Sequence, residues 1–227
     1  MEFVQTSQPR IDKPIMIAAM QDMGNVGSIV INFINNNMRT RQFRIIRSEH
    51  PSYVIDRGGY IDVPDESWEY RYSNGLIVFG GGHGQPQESS NLDLVCKDVI
   101  DTAKKHSVKF IYTAGGFHTN RKLYGSPKTY VTATSAQMAQ QMHNLDVEST
   151  KRSIITGFNG MILGYAKQSG IHGIGMYGEL NDPEIPQYRA AISVIRTLEK
   201  MTFRKIGSTE RLESMAREIE DNFGDTA

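Results

Sequence analysis

The sequence is poor in cysteine and has no excess of charge of either sign. Cys96 is the only cysteine among 227 residues, so a disulfide within the chain is excluded and nothing indicates an oxidising compartment. Lys and Arg together number 25, as do Asp and Glu, which gives a formal net charge of zero. Without a global positive field, nucleic acids and anionic membranes are not expected as partners.

Long hydrophobic runs are also absent. The longest apolar stretches, such as Leu76 to Phe79, are far too short to cross a bilayer, and the mean hydropathy is −0.41. Met1 to Arg10 lacks the basic stretch and apolar core of a signal peptide. We therefore expect a cytoplasmic protein with no membrane partner.

Short apolar runs alternate with segments of helical periodicity along the whole chain. This alternation predicts an α/β fold with a largely parallel sheet flanked by helices. Gly58-Gly59 and Asn74-Gly75 mark turns between extended stretches, which predicts a small antiparallel insertion near residues 53–72. Because parallel α/β folds often reach this length as one unit, we expect residues 1–227 to form a single domain.

The C-terminal segment, residues 209–223, predicts a narrow amphipathic helix. Leu212, Met215, Ile219 and Phe223 form an apolar stripe among charged residues. In one interpretation this stripe docks on its own domain; in the other it is an interface with a partner or with a second copy. These four residues are the candidate interface.

Glycine and polar residues concentrate where three predicted strands end. The carboxyl ends of strands border the usual ligand crevice of an open α/β sheet, so these loops are candidates for one pocket, although sharp turns also require glycine. His83 and His118 are candidate acid–base groups, and Glu179 with Asn181 offers oxygen ligands for a hard cation. The candidate pocket residues are Gly82, His83, Gln85, His118, Glu179 and Asn181.

Other familiar chemistry finds no support. The loop at Gly80 lacks the Gly-Lys-Ser/Thr ending of a phosphate-binding loop, and the six-residue glycine pattern at Gly173 to Gly178 lies within a predicted strand instead of opening a helix. Cys96 falls on the buried stripe of a predicted helix and is interpreted as a core residue. We assign no catalytic residue, metal ligand or cofactor.

One passage carries a family resemblance. Residues 154–164, Ile-Ile-Thr-Gly-Phe-Asn-Gly-Met-Ile-Leu-Gly, resemble the central signature of the proteasome assembly chaperone family. Gly173 to Glu179 resembles that family's glycine-bounded strand ending in glutamate, although Leu180 stands where the family has threonine. Further similarities run in the family's order at Gly24 to Val30, Gly80 to Gln87, Tyr112 to His118 and Arg189 to Ala191.

The resemblance implies a three-layer α/β sandwich of the phosphorylase/hydrolase-like kind and a homo-oligomer that assists assembly of the proteasome α-ring. This form of the family looks archaeal, and some archaeal members bind the α-ring through a C-terminal tail of a hydrophobic residue, tyrosine and one last residue. The sequence ends Asp225-Thr226-Ala227 instead. The resulting hypothesis is a non-catalytic assembly chaperone that binds proteasome α subunits or a related protein client.

Two alternatives come from other classes. Such sequences have also been described as ATP-grasp-like carboxylate-amine ligases, which need magnesium and cationic groups around a triphosphate. Here Glu179 and Asn181 resemble the required ligands. The third hypothesis is a small-molecule or nucleoside-binding protein with a pocket at the strand ends, and it depends on architecture alone.

Overall fold

A computed structural model describes residues 1–49, 51, 53–82, 84–119, 126–143, 147–150 and 154–223, without the side chains of residues 143 and 223. The strands are β1 (Glu2–Gln5), β2 (Ile15–Ala18), β3 (Arg41–Arg47), β4 (Ile55–Asp56), β5 (Ile61–Asp62), β6 (Ser67–Ser73), β7 (Leu76–Gly80), β8 (Phe110–His118), β9 (Thr129–Ala133), β10 (Glu148–Ser149) and β11 (His172–Leu180). The helices are α1 (Val26–Asn37), α2 (Ser89–Lys105), α3 (Ala136–His143), α4 (Phe158–Gln168), α5 (Tyr188–Thr202) and α6 (Glu210–Phe223).

Nine of these strands form one mixed sheet in the order β1-β3-β6-β7-β2-β8-β11-β9-β10. The central strands β7, β2, β8 and β11 are mutually parallel, whereas β1, β3 and β6 pair antiparallel on one side and β9 pairs antiparallel with β11 on the other. The prediction of a largely parallel sheet therefore holds for the centre and not for the flanks. Adjacent strands joined by a tight turn, such as β6 and β7, must run in opposite directions.

Helices cover both faces of the sheet and give three layers. Alternate residues of β2 show the division, because Ile17 packs on one face and Met16 with Ala18 on the other. The first face carries α1, α3, α5 and α6, and the second carries α2 and α4. Within the described residues, no helix has the length and apolar character needed to span a bilayer.

Local chemistry explains several boundaries. Asn74 and Gly75 form the two-residue loop between β6 and β7, where Gly75 has a φ of 64°. The predicted antiparallel insertion is present as a separate two-stranded sheet of β4 and β5, with Asp56 paired to Ile61. The glycine pattern at Gly173 to Gly178 lies inside β11, as its sequence context predicted.

The parallel strands fix one end of the sheet as the place where loops converge. We call this the carboxyl end, defined by the ends of β7, β2, β8 and β11. Strand β3 also ends there, since Arg47 pairs with Ser67 at the start of β6 and Glu69 of β6 pairs with Gly80 at the end of β7. The segment 48–66, which contains β4 and β5, consequently leaves and re-enters the sheet at the carboxyl end.

Candidate functional site at the carboxyl end of the sheet

Asp22 lies in the turn between β2 and α1 and connects two elements. Its Oδ1 accepts a hydrogen bond from the Gly27 amide at 2.9 Å, and its Oδ2 accepts one from the Gly116 amide of β8 at 2.5 Å. A Cβ on Gly115 would lie 2.6 Å from Asp22 Oδ2, closer than packing permits. The glycine pair of β8 is thus required for the approach of this carboxyl group.

Asn159, in the first turn of α4, joins that helix to the end of β2. Its Oδ1 accepts from the Met20 amide at 2.9 Å, and its Nδ2 donates to the Met20 carbonyl at 3.0 Å. The Tyr177 hydroxyl of β11 donates to the Asn159 carbonyl oxygen at 3.1 Å. Because Asn159 is buried, both backbone groups of Met20 depend on it for satisfaction.

Gln85, in the loop after β7, makes a second bridge of the same kind. Its Oε1 accepts from the Phe158 amide at the start of α4 at 2.7 Å, and its Nε2 donates to the Gln21 carbonyl at 2.7 Å. Gly157, with φ of 74°, precedes the helix, and a Cβ there would lie 2.8 Å from Gln85 Oε1. Gly157 of the family-like signature therefore permits the close approach of Gln85 to the start of α4.

These bridges surround a cavity of about 130 Å³ between β2, β8, β11 and α4. Its polar lining includes Asp22, Gln85, Asn159 and Tyr177. Its remaining walls come from Met23, Gly116, Phe117, Thr150, Ile154, Ile155 and Thr156. The volume is small beside the roughly 300–1,000 Å³ of sites for drug-sized ligands, so this cavity is too small for a nucleoside triphosphate.

The carboxyl group in this cavity is electrostatically unusual. Burial raises the pKa of Asp22 to about 7 from an ordinary 3.8, against the opposing effect of hydrogen bonds from Gly27, Gly116 and Asn159. Tyr177 has its pKa raised by burial and by the nearby Asp22 charge, so its hydroxyl stays protonated and able to donate. The negative potential of an ionised Asp22 disfavours phosphate in the same space.

The predicted pocket residues do not form one site. Gln85 lines the cavity, but Gly82 lies against the Trp68 side chain. The His118 ring Nε2 lies 3.1 Å from the Asn181 carbonyl oxygen, which ties the loops after β8 and β11 together. Glu179 receives a long 3.4 Å hydrogen bond from the Lys128 amide. Gly82, His118, Glu179 and Asn181 do not line the cavity, and His83 lies outside the described residues.

The chemistry around these positions offers no metal site. Within the described ranges, no group of three or more His, Cys, Asp and Glu side chains is placed to hold a metal ion. Cys96 is buried in α2, and burial raises the pKa of its thiol to about 12, with a smaller effect from Asp93. A thiol of that pKa is a poor nucleophile at neutral pH.

The candidate interface residues of α6 lie largely against the protein itself. Leu212 is buried, and Met215 packs against the same core through α5. Ile219 is half-buried, and the side chain of Phe223 lies outside the described part of the chain. Arg189 and Arg196 of α5 pair with Glu220 and Glu213 of α6. The first of the two sequence interpretations, docking on its own domain, describes this geometry.

Exposed hydrophobic side chains, in contrast, are concentrated at the carboxyl end. Val54, Tyr60, Ile61 and Val63 belong to the segment that leaves the sheet there, and each is more than half exposed. Ile154 at the cavity is 74% exposed. Met23 follows β2 at the same end and is 41% exposed. Phe3, Leu94 and Phe203 are the other large hydrophobic residues exposed among the described residues.

Sequence reasoning missed the central residues of this site. Asp22 follows β2 without a recognisable motif around it. Asn159 and Tyr177 lie within the stretches that resemble the family, where nothing marks them as functional residues. A usable signal was the position of Asp22 between a buried strand and a helix that opens with glycine. At that position a carboxylate can accept from the free amides of the first helical turn.

Solved structures share this fold across nearly the whole chain. PbaB of Pyrococcus furiosus, described as an archaeal proteasome activator, superposes with a TM-score of 0.83 at 22% identity, covering 99% of this chain and 97% of PbaB. PbaA of the same organism, described as an archaeal homolog of proteasome-assembly chaperone, gives 0.79 at 21% identity and covers 97% and 93%. A proteasome-assembly chaperone homologue of Mycobacterium tuberculosis gives 0.74 at 14%, covering 93% and 95%.

A search of curated proteins found no match. The model of the PAC2 family, however, matches residues 16–226, which contain the parallel centre of the sheet except Ile15 at the start of β2, together with the cavity and α6. The chain belongs to the PAC2 family, as its resemblance to proteasome assembly chaperones predicted.

Proposed function

We propose that this protein is a non-catalytic assembly chaperone that binds proteasome α subunits, or a related protein client, through the carboxyl end of its sheet. The observation that carries the proposal is the concentration of exposed apolar side chains there. Tyr60 and Ile61 are 64% and 60% exposed, and they lie on a two-stranded sheet that adds little to the core. Exposed apolar residues that cluster at one end are typical of protein-binding surfaces.

Membership of the PAC2 family supports this role. One solved structure of the same fold is described as a homolog of a proteasome-assembly chaperone and another as a proteasome activator. Both descriptions concern the proteasome, through its assembly in the first and its activation in the second. A chaperone must release its client, and a surface of modest apolar area is suited to reversible binding.

The catalytic alternative has weaker support. An ATP-grasp-like ligase requires space and positive charge for a triphosphate. The cavity of about 130 Å³ provides neither, since its ionisable groups are Asp22 and Tyr177 among the described residues that line it. Glu179 and Asn181, the proposed magnesium ligands, do not belong to any group of three or more His, Cys, Asp and Glu side chains placed to hold a metal ion in the described ranges.

The test is capture of purified proteasome α subunits by the tagged protein, with wild type compared to Tyr60→Ser/Ile61→Ser. We expect the double variant to weaken binding at least about tenfold, because exposed aromatic and aliphatic anchors contribute most of the affinity of such interfaces. Both changes remove apolar surface from the carboxyl end and leave the core untouched.

Phe203→Ser is the matched control. Phe203 is 92% exposed, and it follows α5 next to Arg204, which donates to the Asn74 carbonyl at the opposite end of the sheet. We expect this variant to bind as wild type does. If the Tyr60→Ser/Ile61→Ser variant binds as tightly as wild type, the carboxyl end is not the surface that binds α subunits. Failure of wild type to bind α subunits, either free or in the finished core particle, would refute the proteasome client.

Oligomerisation through α6 is a further part of the proposal. Ile219 is the described member of the candidate interface that retains substantial exposure without being assigned to the core. If α6 is an interface between copies, Ile219→Asp should lower the sedimentation coefficient of the purified protein. An unchanged sedimentation profile together with unchanged capture of α subunits would remove α6 from the binding surface.

A further inference from the structure

The cavity at the carboxyl end has a restricted set of available hydrogen-bonding groups. Gln85 and Asn159 each use both the oxygen and the nitrogen of their amides on backbone partners. Tyr177 donates its hydroxyl proton to the Asn159 carbonyl. These three polar side chains stabilise the walls and have their principal bonds satisfied before any ligand enters.

The Asp22 carboxylate can still accept a hydrogen bond from a ligand. Its two oxygens accept from the Gly27 and Gly116 amides and from Asn159, and a carboxylate offers about four acceptor positions, which leaves about one for a ligand. The side chain is only partly buried and lines the cavity. Thr150 and Thr156 also belong to the lining. A ligand group in this space therefore meets acceptors, so the complementary group is a hydrogen-bond donor with positive charge.

The cation must be organic. A hard metal ion requires several oxygen ligands, and only one carboxylate reaches the cavity within the described residues. The lining also contains the apolar side chains of Phe117, Ile154 and Ile155. An aromatic ring and aliphatic side chains suit an alkyl stem and the face of a planar cation. About 130 Å³ accommodates such a head group with a short stem.

We propose that this cavity binds the guanidinium or ammonium end of an alkyl cation, with Asp22 as its counter-ion and the apolar walls around its stem. The cation is either a free small molecule or a basic side chain of a protein. The proposed cation site does not depend on the identity of the client, because the cavity and its Asp22 acceptor are present in the isolated chain.

The pH dependence of binding follows from the same carboxyl group. Of the described residues lining the cavity, Tyr177 on β11 is the other titratable group facing Asp22, and it stays neutral because its pKa is raised. Since the pKa of Asp22 is raised to about 7 by burial, the carboxylate is the major form only above that pH. Affinity for a permanent cation should fall about tenfold for each pH unit below about 7.

The test is isothermal titration calorimetry of the full chain with N-propylguanidinium, with N-propylurea as an uncharged analogue of the same shape. We expect the guanidinium to bind at pH 8 and at least about tenfold more weakly at pH 6, and the urea not to bind. Equal binding of the two compounds, or binding that does not change between pH 6 and pH 8, would overturn the proposal.

Variants locate the site. Asp22→Asn should weaken N-propylguanidinium binding at least about tenfold, the loss expected when a charge-assisted hydrogen bond is removed. Glu179→Gln, the matched control, removes a carboxylate at the same end of the sheet that does not line the cavity, and should bind as wild type does. If Asp22→Asn does not fold, the comparison of wild-type binding at pH 6 and pH 8 still tests whether a titrating carboxylate binds the cation. Equal loss in both variants would contradict the assignment.

A blocked Gly-Arg-Gly peptide distinguishes the two sources of the cation. Tighter binding of the peptide than of N-propylguanidinium would identify a protein side chain as the natural occupant. Exclusion of the peptide with retention of the free cation would identify a small molecule. Failure of both to bind at pH 8 would refute the cavity as a cation site, and would leave the capture of α subunits to be judged separately.

Discussion

The carboxyl end of the sheet differs from the flank formed by α5 and α6 in how apolar side chains are buried and how charges are paired. On the flank, the apolar stripe of α6 is directed at the core, where Leu212 and Ala216 are buried. The charges beside it are matched, since Arg189 and Arg196 of α5 pair with Glu220 and Glu213. These apolar contacts and ion pairs are explained by folding alone.

At the carboxyl end, several features cost stability. A carboxyl group is withdrawn from water at Asp22, and apolar side chains such as Tyr60 and Val63 remain in it. Proteins depart from local rules of this kind chiefly at functional sites, which supports the proposal that the carboxyl end is the binding surface.

The largest expected effect concerns the cost of burying Asp22. Below pH 4 the group is protonated in both folded and unfolded chains. Between about pH 4 and 7 the folded chain keeps a proton that the unfolded chain has released, so the free energy of unfolding falls as pH rises. A pKa of about 7 against an ordinary 3.8 corresponds to at most roughly 4 kcal/mol.

Urea unfolding of wild type and Asp22→Asn across pH 4 to 8 measures this cost, because other titrating groups cancel in the difference. Wild type should lose stability relative to the variant as pH rises to about 7, and the difference should then become constant. A difference that is flat, or that grows in favour of wild type with pH, would show that the Gly27 and Gly116 amides outweigh burial.

Next in size is the loss of apolar contact under α6. Leu212 is 8% exposed, so Leu212→Ala should lower the free energy of unfolding by about 2–4 kcal/mol. Ile219→Ala, on the same helix but half-buried, should cost about 1 kcal/mol or less. The urea midpoints of the two variants test this ordering. Equal small costs would mean that α6 is only loosely attached and is available to partners.

The same contrast explains what the sequence could and could not predict. Periodicity located α6 to within a residue, because its buried residues recur at the period of a helix. It missed β1 and β10, which are short strands at the sheet margins with mostly exposed side chains. Strand direction was only partly predicted, since a tight hairpin fixes it at β6 and β7 whereas longer connections do not.

Within the site, residue type alone was a poor guide. Histidine and acidic residues at strand ends drew attention to His118 and Glu179, which the fold uses to tie loops together. The residues that converge, Asp22 and Asn159, come from elements separated by 137 positions of sequence, and only the tertiary structure brings them together. No local sequence pattern predicts that contact.

A smaller effect on stability is expected for the exposed side chains of the β4–β5 sheet. Tyr60→Ser/Ile61→Ser should change the free energy of unfolding by less than about 0.5 kcal/mol, because surface side chains outside the core contribute little. The same urea experiment measures it beside the loss of α-subunit capture. A cost above about 1 kcal/mol would indicate that these side chains pack within the fold, and would weaken the contrast with α6.

The smallest expected effect is that of the ion pairs on the flank. Arg196 and Glu213 lie 2.9 Å apart with side chains 61% and 33% exposed, so Arg196→Gln should cost about 0.5 kcal/mol or less. At 1 M NaCl the screening length is about 3 Å, and the difference from wild type should disappear. A cost that persists in high salt would instead show that the alkyl part of Arg196 covers apolar surface. The flank would then be stabilised by packing throughout, in contrast to the carboxyl end, where apolar side chains remain exposed.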